Sequence, residues 1–116
     1  MPRGFLMPVA HLTLEIRIDQ AHSLKDRRQV VRSLKDQLRQ RFNASVAEMD
    51  EATLWNAATI GLVAISRSHE YLHGMMEEIE AEASRMCADL GAELADAFCD
   101  FLEPEAQPER LHIAEN

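Results

Sequence analysis

Cysteine is scarce in this chain of 116 residues: Cys87 and Cys99 are the only two. They form neither a CxxC pair nor a zinc-ligand spacing, which excludes a disulfide scaffold and a zinc ribbon. They read as reduced, buried thiols, with a disulfide between them as the alternative. Aromatic residues make up only 5%, and a single tryptophan and a single tyrosine are among them. Glycine and proline occur four times each, and no glycine-rich phosphate loop is built from them. No Ser-His-Asp order and no paired catalytic carboxylates stand out, and no cofactor is expected. No apolar run approaches the roughly 20 residues of a membrane span. The opening MPRGFLMPVA lacks the apolar stretch of a signal peptide. A soluble, cytoplasmic, non-enzymatic protein with no membrane partner is expected.

Charge is plentiful but uneven. The net charge is −8, yet residues 1–42 carry nine basic and four acidic side chains, against three and sixteen in residues 43–116. An acidic chain with one basic segment departs from the usual nucleic-acid binder, which tends to be basic throughout.

The periodicities give the order of elements. Val9 to Ile18 alternate, with Ala10, Leu12, Leu14, Ile16 and Ile18 on one side, as a half-buried strand requires. Ser23 with Asp26 is a near capping box for a first helix. That helix carries its apolar stripe on Leu24, Val31, Leu34, Leu38 and Phe42. Ala44 to Met49 is a short strand, and Thr59 to Ser66 is a nearly continuous apolar strand suited to the middle of a sheet. Ser68 caps a second helix, with Leu72, Met76, Ile79, Ala83 and Met86 inward and Glu77, Glu78, Glu80 and Glu82 outward. Glu93 to Leu102 forms a last strand whose alternation leaves its buried side open: Ala95, Ala97, Cys99 and Phe101, or the residues between them.

The order strand, helix, strand, strand, helix, strand predicts an α+β, ferredoxin-like βαββαβ sandwich. Its four-stranded, mostly antiparallel sheet would carry both helices on one face. One domain over 1–103 is expected, with 1–6 a loose lead-in and 104–116 an acidic, disordered tail. The open face of the sheet, or one of its edges, suits a homodimer.

Ala21-His22-Ser23-Leu24-Lys25 with Arg27-Arg28, then Phe42-Asn43, Ser45-Val46-Ala47-Glu48, Leu54-Trp55 and Gly61, resembles the YlxP-like family of small bacterial domains. The resemblance runs over roughly residues 7–102. It implies a ferredoxin-like fold and an association with RNA or the ribosomal particle. The chain departs from the family pattern in its acidic tail and at Ala44, where valine is usual.

Several residue sets invite a chemical reading. Lys25, Arg28, Arg32, Lys35 and Arg39 recur at spacings of three and four and occupy about 80° of helical arc beside the apolar stripe. They either complement the acidic second helix within the molecule or are simply solvated, or they form a face for a polyanion. Arg27 projects toward the apolar side of the same helix, and Glu48 stands in an otherwise apolar strand. The two either pair or are each solvated at an edge. Asn43, Ser45, Glu48 and Trp55 with Arg27 make a candidate pocket, although Trp55 is expected to cap the core through its indole. His69-Glu70-Tyr71-Leu72-His73 is a literal H-E-x-x-H. It falls in the first turn of a helix, on the solvent border, with little chain to wall a substrate cleft. His69 and His73 are expected to be solvated, with weak surface metal binding the alternative and no stoichiometric zinc after dialysis. Cys87 and Cys99 have neither a helix N-terminus nor a neighbouring His to activate them.

Overall fold

The alternation at the start of the chain becomes β1 (Val9–Arg17), in which Ala10, Leu12, Leu14 and Ile16 are all buried. A strand of this kind hides one face only, so it needs partners at both edges and a layer over that face. The computed structural model describes residues 8–51, 54–102 and 110–112 and supplies both. α1 (Leu24–Arg41) is followed by β2 (Ser45–Glu48), β3 (Ala57–Ile65), α2 (His69–Asp89) and β4 (Glu93–Leu102). The strands lie in the order β2-β3-β1-β4, and every neighbouring pair is antiparallel. This is the ferredoxin-like βαββαβ arrangement.

One core joins the inward side of the sheet to both helices. Val31, Leu34 and Leu38 come from α1, and Leu72, Met76, Ile79, Ala83 and Met86 from α2. They meet Leu12, Leu14, Ile60 and Leu62 of the central strands. Each fully buried Leu or Ile contributes roughly 1.5–3 kcal/mol relative to leaving it in water. Among the described residues, no helix is long and apolar enough to cross a membrane.

The helix ends follow local chemistry. The Ser23 hydroxyl accepts from the Asp26 N–H at 3.1 Å, and the Asp26 carboxylate accepts from the His22 N–H at 3.0 Å. The reciprocal arm therefore lands one residue earlier than in a full capping box. At the end of α2, Gly91 adopts φ 75°, while the Gly91 N–H donates to the Ala88 carbonyl and the Ala92 N–H to the Cys87 carbonyl. That is a Schellman cap, which needs a left-handed residue at this place.

Five expectations require correction. β4 does not keep a strict alternation: Glu15 faces Asp96 but Ile16 faces Leu94, so Ala95 is the extra residue of a bulge. The half-buried side of β4 is consequently Leu94, Ala97 and Phe101, drawn from both alternatives. Leu24 is 44% exposed, and Arg27, one turn before Val31, takes the buried position on that face. Glu82 is not on the outer surface of α2. It is buried between the helices, held by Arg85 and by Arg41 of α1, the latter at 2.8 Å. Cys99 is exposed, whereas Cys87 is buried, and both are free thiols. Trp55 is 51% exposed in the turn before β3 and caps no core. The expected lead-in, 1–6, and all of the expected tail except 110–112 lie outside the described residues.

Candidate functional site

The apolar stripe of α1 sets which way its basic stripe faces. With Val31, Leu34 and Leu38 driven onto the sheet, the residues beside them turn toward the open edge of β2, away from α2. Arg28, Arg32, Lys35 and Arg39 line a groove of about 450 Å³ there, together with Leu24, Arg27, Val31, Asp36 and Glu48. Arg39 reaches across to donate to the Val46 carbonyl at 2.8 Å. Its guanidinium thus covers part of a strand edge that would otherwise present unpaired backbone groups.

Arg27 anchors the inner end of this groove. It is 3% exposed, yet its guanidinium donates to Glu48 Oε2 at 2.7 Å, to both Asp50 oxygens at 3.1 Å and to the Ala57 carbonyl at 2.8 Å. Its planar fork suits a carboxylate pair plus a carbonyl, which a lysine head cannot match. Arg27 therefore ties α1 to the end of β2, to the loop after it and to the start of β3. Among the described residues, no buried side-chain polar atom lacks a hydrogen-bond partner.

The remaining cations are not spoken for in this way. Among the described residues, Lys25, Arg28, Arg32 and Lys35 have no carboxylate within 4.0 Å. Arg39 has only Asp36 of its own helix, at 3.7 Å. The reading in which the stripe complements α2 is thereby corrected: Arg41, outside the stripe, is the residue of α1 that reaches an α2 carboxylate. Like charges at three- and four-residue spacing repel by roughly 0.2–0.5 kcal/mol per pair. The stripe thus costs the helix some stability, which an ion pair with Asp36 offsets only at Arg39, and an anion laid along the groove would relieve the rest.

Asn43 and Ser45 do not join this groove. Asn43 lines a separate depression with Arg41, Phe42 and Tyr71, and Ser45 stands opposite Val63 on the open face of the sheet. Trp55 lies outside the groove lining but close to its inner end in the chain, two residues before the carbonyl that Arg27 grips. The partners Asp50 and Ala57 were not readable from spacing, because both sit in or beside a loop whose path periodicity does not report.

The H-E-x-x-H histidines are exposed, as expected, and each also sets its ring against an aromatic side chain. The His69 ring lies 4.3 Å from that of Phe101, and the His73 ring stacks on it at 5.8 Å. The two imidazoles clasp an aromatic side chain of β4, and among the described residues no group of three side chains is placed to hold a metal ion. Burial pushes the Cys87 thiol up from 9.0 to about 11. Cys99 is also raised, first by burial and then by Asp100 and Glu80. Neither is poised as a nucleophile. The opposite flank of the molecule is acidic, with Glu77, Glu80 and Asp96 around a shallow depression of about 580 Å³ between α2 and β4.

Comparison with known proteins gives a family and a set of folds. The family model described as "Protein of unknown function (DUF503)" matches residues 9–97. No curated protein is similar enough to this chain to match it. Among solved structures, a C-terminal segment of the alpha subunit of aIF2 from Pyrococcus abyssi is similar at 14% identity and a TM-score of 0.47, over 87% of this chain and 52% of that one. A dinuclear metal binding peptidase of the M20 family from Bacillus subtilis is similar at 16% identity and a TM-score of 0.49, over 85% of this chain and 26% of that one. A dimeric ferredoxin-like protein of unknown function from Thermobifida fusca has 16% identity and a TM-score of 0.47, over 83% and 90% of the two chains. The chain thus spans about half the length of the first and about a quarter of the second. No activity transfers at such identities.

Proposed function

The chain belongs to the DUF503 family of proteins of unknown function, and we propose that it is a non-enzymatic domain that binds RNA through the groove between α1 and the edge of β2. The observation that carries this reading is the set of unpaired cations lining one concave surface, Arg28, Arg32 and Lys35, with Arg39 beside them. An array of fixed positive charge beside a strand edge suits a phosphate backbone, which supplies charge at regular intervals and makes few demands on side-chain shape. The resemblance to the YlxP-like family, with its implied association with RNA or the ribosomal particle, supports the same reading. The acidic remainder of the chain confines the contact to this groove. Four phosphate contacts would give log K against log salt a slope of about −2.8 on a single strand and about −3.6 on a duplex. Filter binding of ribosomal RNA tests it. Wild-type protein should retain RNA at low salt, and R28E/R32E/K35E, all at unpaired positions, should abolish retention while leaving the circular dichroism spectrum intact. Equal retention by both proteins, or none by either, would refute the proposal.

One observation favours a second reading, in which the open face of the sheet joins two copies. Val63, Ile65, Phe98 and Leu102 are 42–59% exposed on that face, and the register puts Val9 between Ile65 and Leu102. A contiguous apolar row of this kind is typical of an interaction surface. Sedimentation of wild-type protein against V63E/F98E distinguishes the cases: a dimer that becomes a monomer supports the reading, and a wild-type monomer at high concentration removes it.

A further inference from the structure

Trp55 is the only tryptophan of the chain and stands 51% exposed, beside Leu54 at 60%. Loops commonly expose small or polar residues, and a tryptophan held in water forgoes the burial that makes it useful to a core. The backbone immediately after it is nevertheless fixed. The Asn56 carbonyl accepts from the Ile18 N–H at 2.8 Å, and the next carbonyl, that of Ala57, accepts from Arg27 at 2.8 Å. The other end of the same loop is held by the two bonds from Arg27 to Asp50. A single guanidinium that lines the basic groove therefore also clamps both sides of the loop. Two residues of chain span at most about 7 Å, so the Trp55 backbone lies within that distance of Ala57, whose carbonyl Arg27 holds at its end of the groove.

We infer that Trp55 is a stacking platform for an unpaired base of the RNA held in the groove, which makes single-stranded segments or loops the substrate class. This rests on the groove reading above and adds a preference to it. Phosphate contacts along α1 would position the strand without regard to sequence, and the indole face would accept a base that is free to leave its neighbours. A duplex offers no such base along its length, and its bases are already stacked on one another. Leu54, next to the indole, adds apolar surface beside the site. The bond on the Ala57 carbonyl fixes the chain just after Trp55, which lowers the cost of ordering that side of the platform on binding.

Because no second indole interferes, the emission of Trp55 reports the contact directly. The full chain is titrated at low salt with oligoadenylate, with an RNA duplex of the same length, and with inorganic polyphosphate, which has charge but no bases. Oligoadenylate should quench the emission, while polyphosphate binds with little change. W55A should weaken oligoadenylate binding roughly five- to 150-fold, the range for one lost base–aromatic stack. It should leave polyphosphate affinity and the salt slope as they were, since no phosphate contact is removed. W55F should recover part of the loss, and the exposed position leaves the fold of either variant intact, as a thermal melt will show. Oligoadenylate binding with unchanged emission and with equal affinity in W55A would overturn the stacking role and leave the groove reading in place. Failure of all three probes to bind overturns both together.

Discussion

Replacing Arg27 with methionine removes one buried guanidinium and strands three acceptors. Breaking a buried ion pair by deleting one partner costs roughly 3–5 kcal/mol. Here the Glu48 and Asp50 side chains keep 23% and 33% of their exposure, so water compensates part of the loss. That places the charge contribution near the lower bound of the range, while the Ala57 carbonyl left without its donor adds about 1 kcal/mol. The apolar stem of methionine restores some packing against Val31, and the expected net loss is about 3 kcal/mol. For a domain of this size that corresponds to a fall in Tm of roughly 9–15 °C. Arg27→Lys retains charge and length but offers no fork, so it should lose about half as much. Urea unfolding followed by far-UV circular dichroism reads both variants, because the exposed Trp55 is a poor reporter of the core. A cycle with Glu48→Gln should give a coupling energy of about 1–2 kcal/mol. A methionine variant within about 0.5 kcal/mol of wild type, or a coupling energy of zero, would show that the fork is not what holds α1 to the β2–β3 loop.

Other perturbations follow from the same contacts. Gly91→Ala forces a side chain into φ 75° at the end of α2 and should cost about 1 kcal/mol by urea unfolding, whereas a gain would contradict the Schellman cap. Ser23→Ala removes the acceptor of the Asp26 N–H and should also cost about 1 kcal/mol, with no effect if the first turn of α1 is already frayed. Alkylation of native protein at mildly alkaline pH should modify Cys99 and spare Cys87, as peptide mapping will show; equal rates would mean that α2 opens readily. The raised thiol pKa of Cys87 favours the protonated form in the folded state. Its contribution to stability is therefore complete below pH 9 and is lost as pH rises through about 11, so Cys87→Ala should flatten that alkaline decline.

The architecture was legible because its signals are repetitive. The alternation of β1 and the three-four spacing in both helices each rest on several side chains that must share one face, and all three elements form. β4 was legible in extent but not in orientation, since one inserted residue at Ala95 reverses the parity of everything beyond it. The Arg27–Glu48 pair was readable from the misfit of a charge on each of two apolar faces. Its companions Asp50 and Ala57 were not, because nothing in a loop fixes distance across the fold. Glu82 looked like one more surface acid in an acidic helix, and only the position of Arg41 on the neighbouring helix makes it a buried bridge. Trp55 shows the converse: size and apolarity argued for burial, while the exposure follows from a turn held in place by other residues.

The separation of charge across the sheet has a consequence for how the protein meets a partner at a distance. With cations along the β2 flank and carboxylates such as Glu77, Glu80 and Asp96 along the β4 flank, the molecule carries a lateral electric moment. An approaching polyanion exerts a torque that swings the cationic flank forward before any atoms touch, over a reach of about 8 Å at physiological ionic strength. Arrival is thereby pre-aimed. The uncovered side of the sheet is left pointing sideways, clear of whatever the helix has landed on.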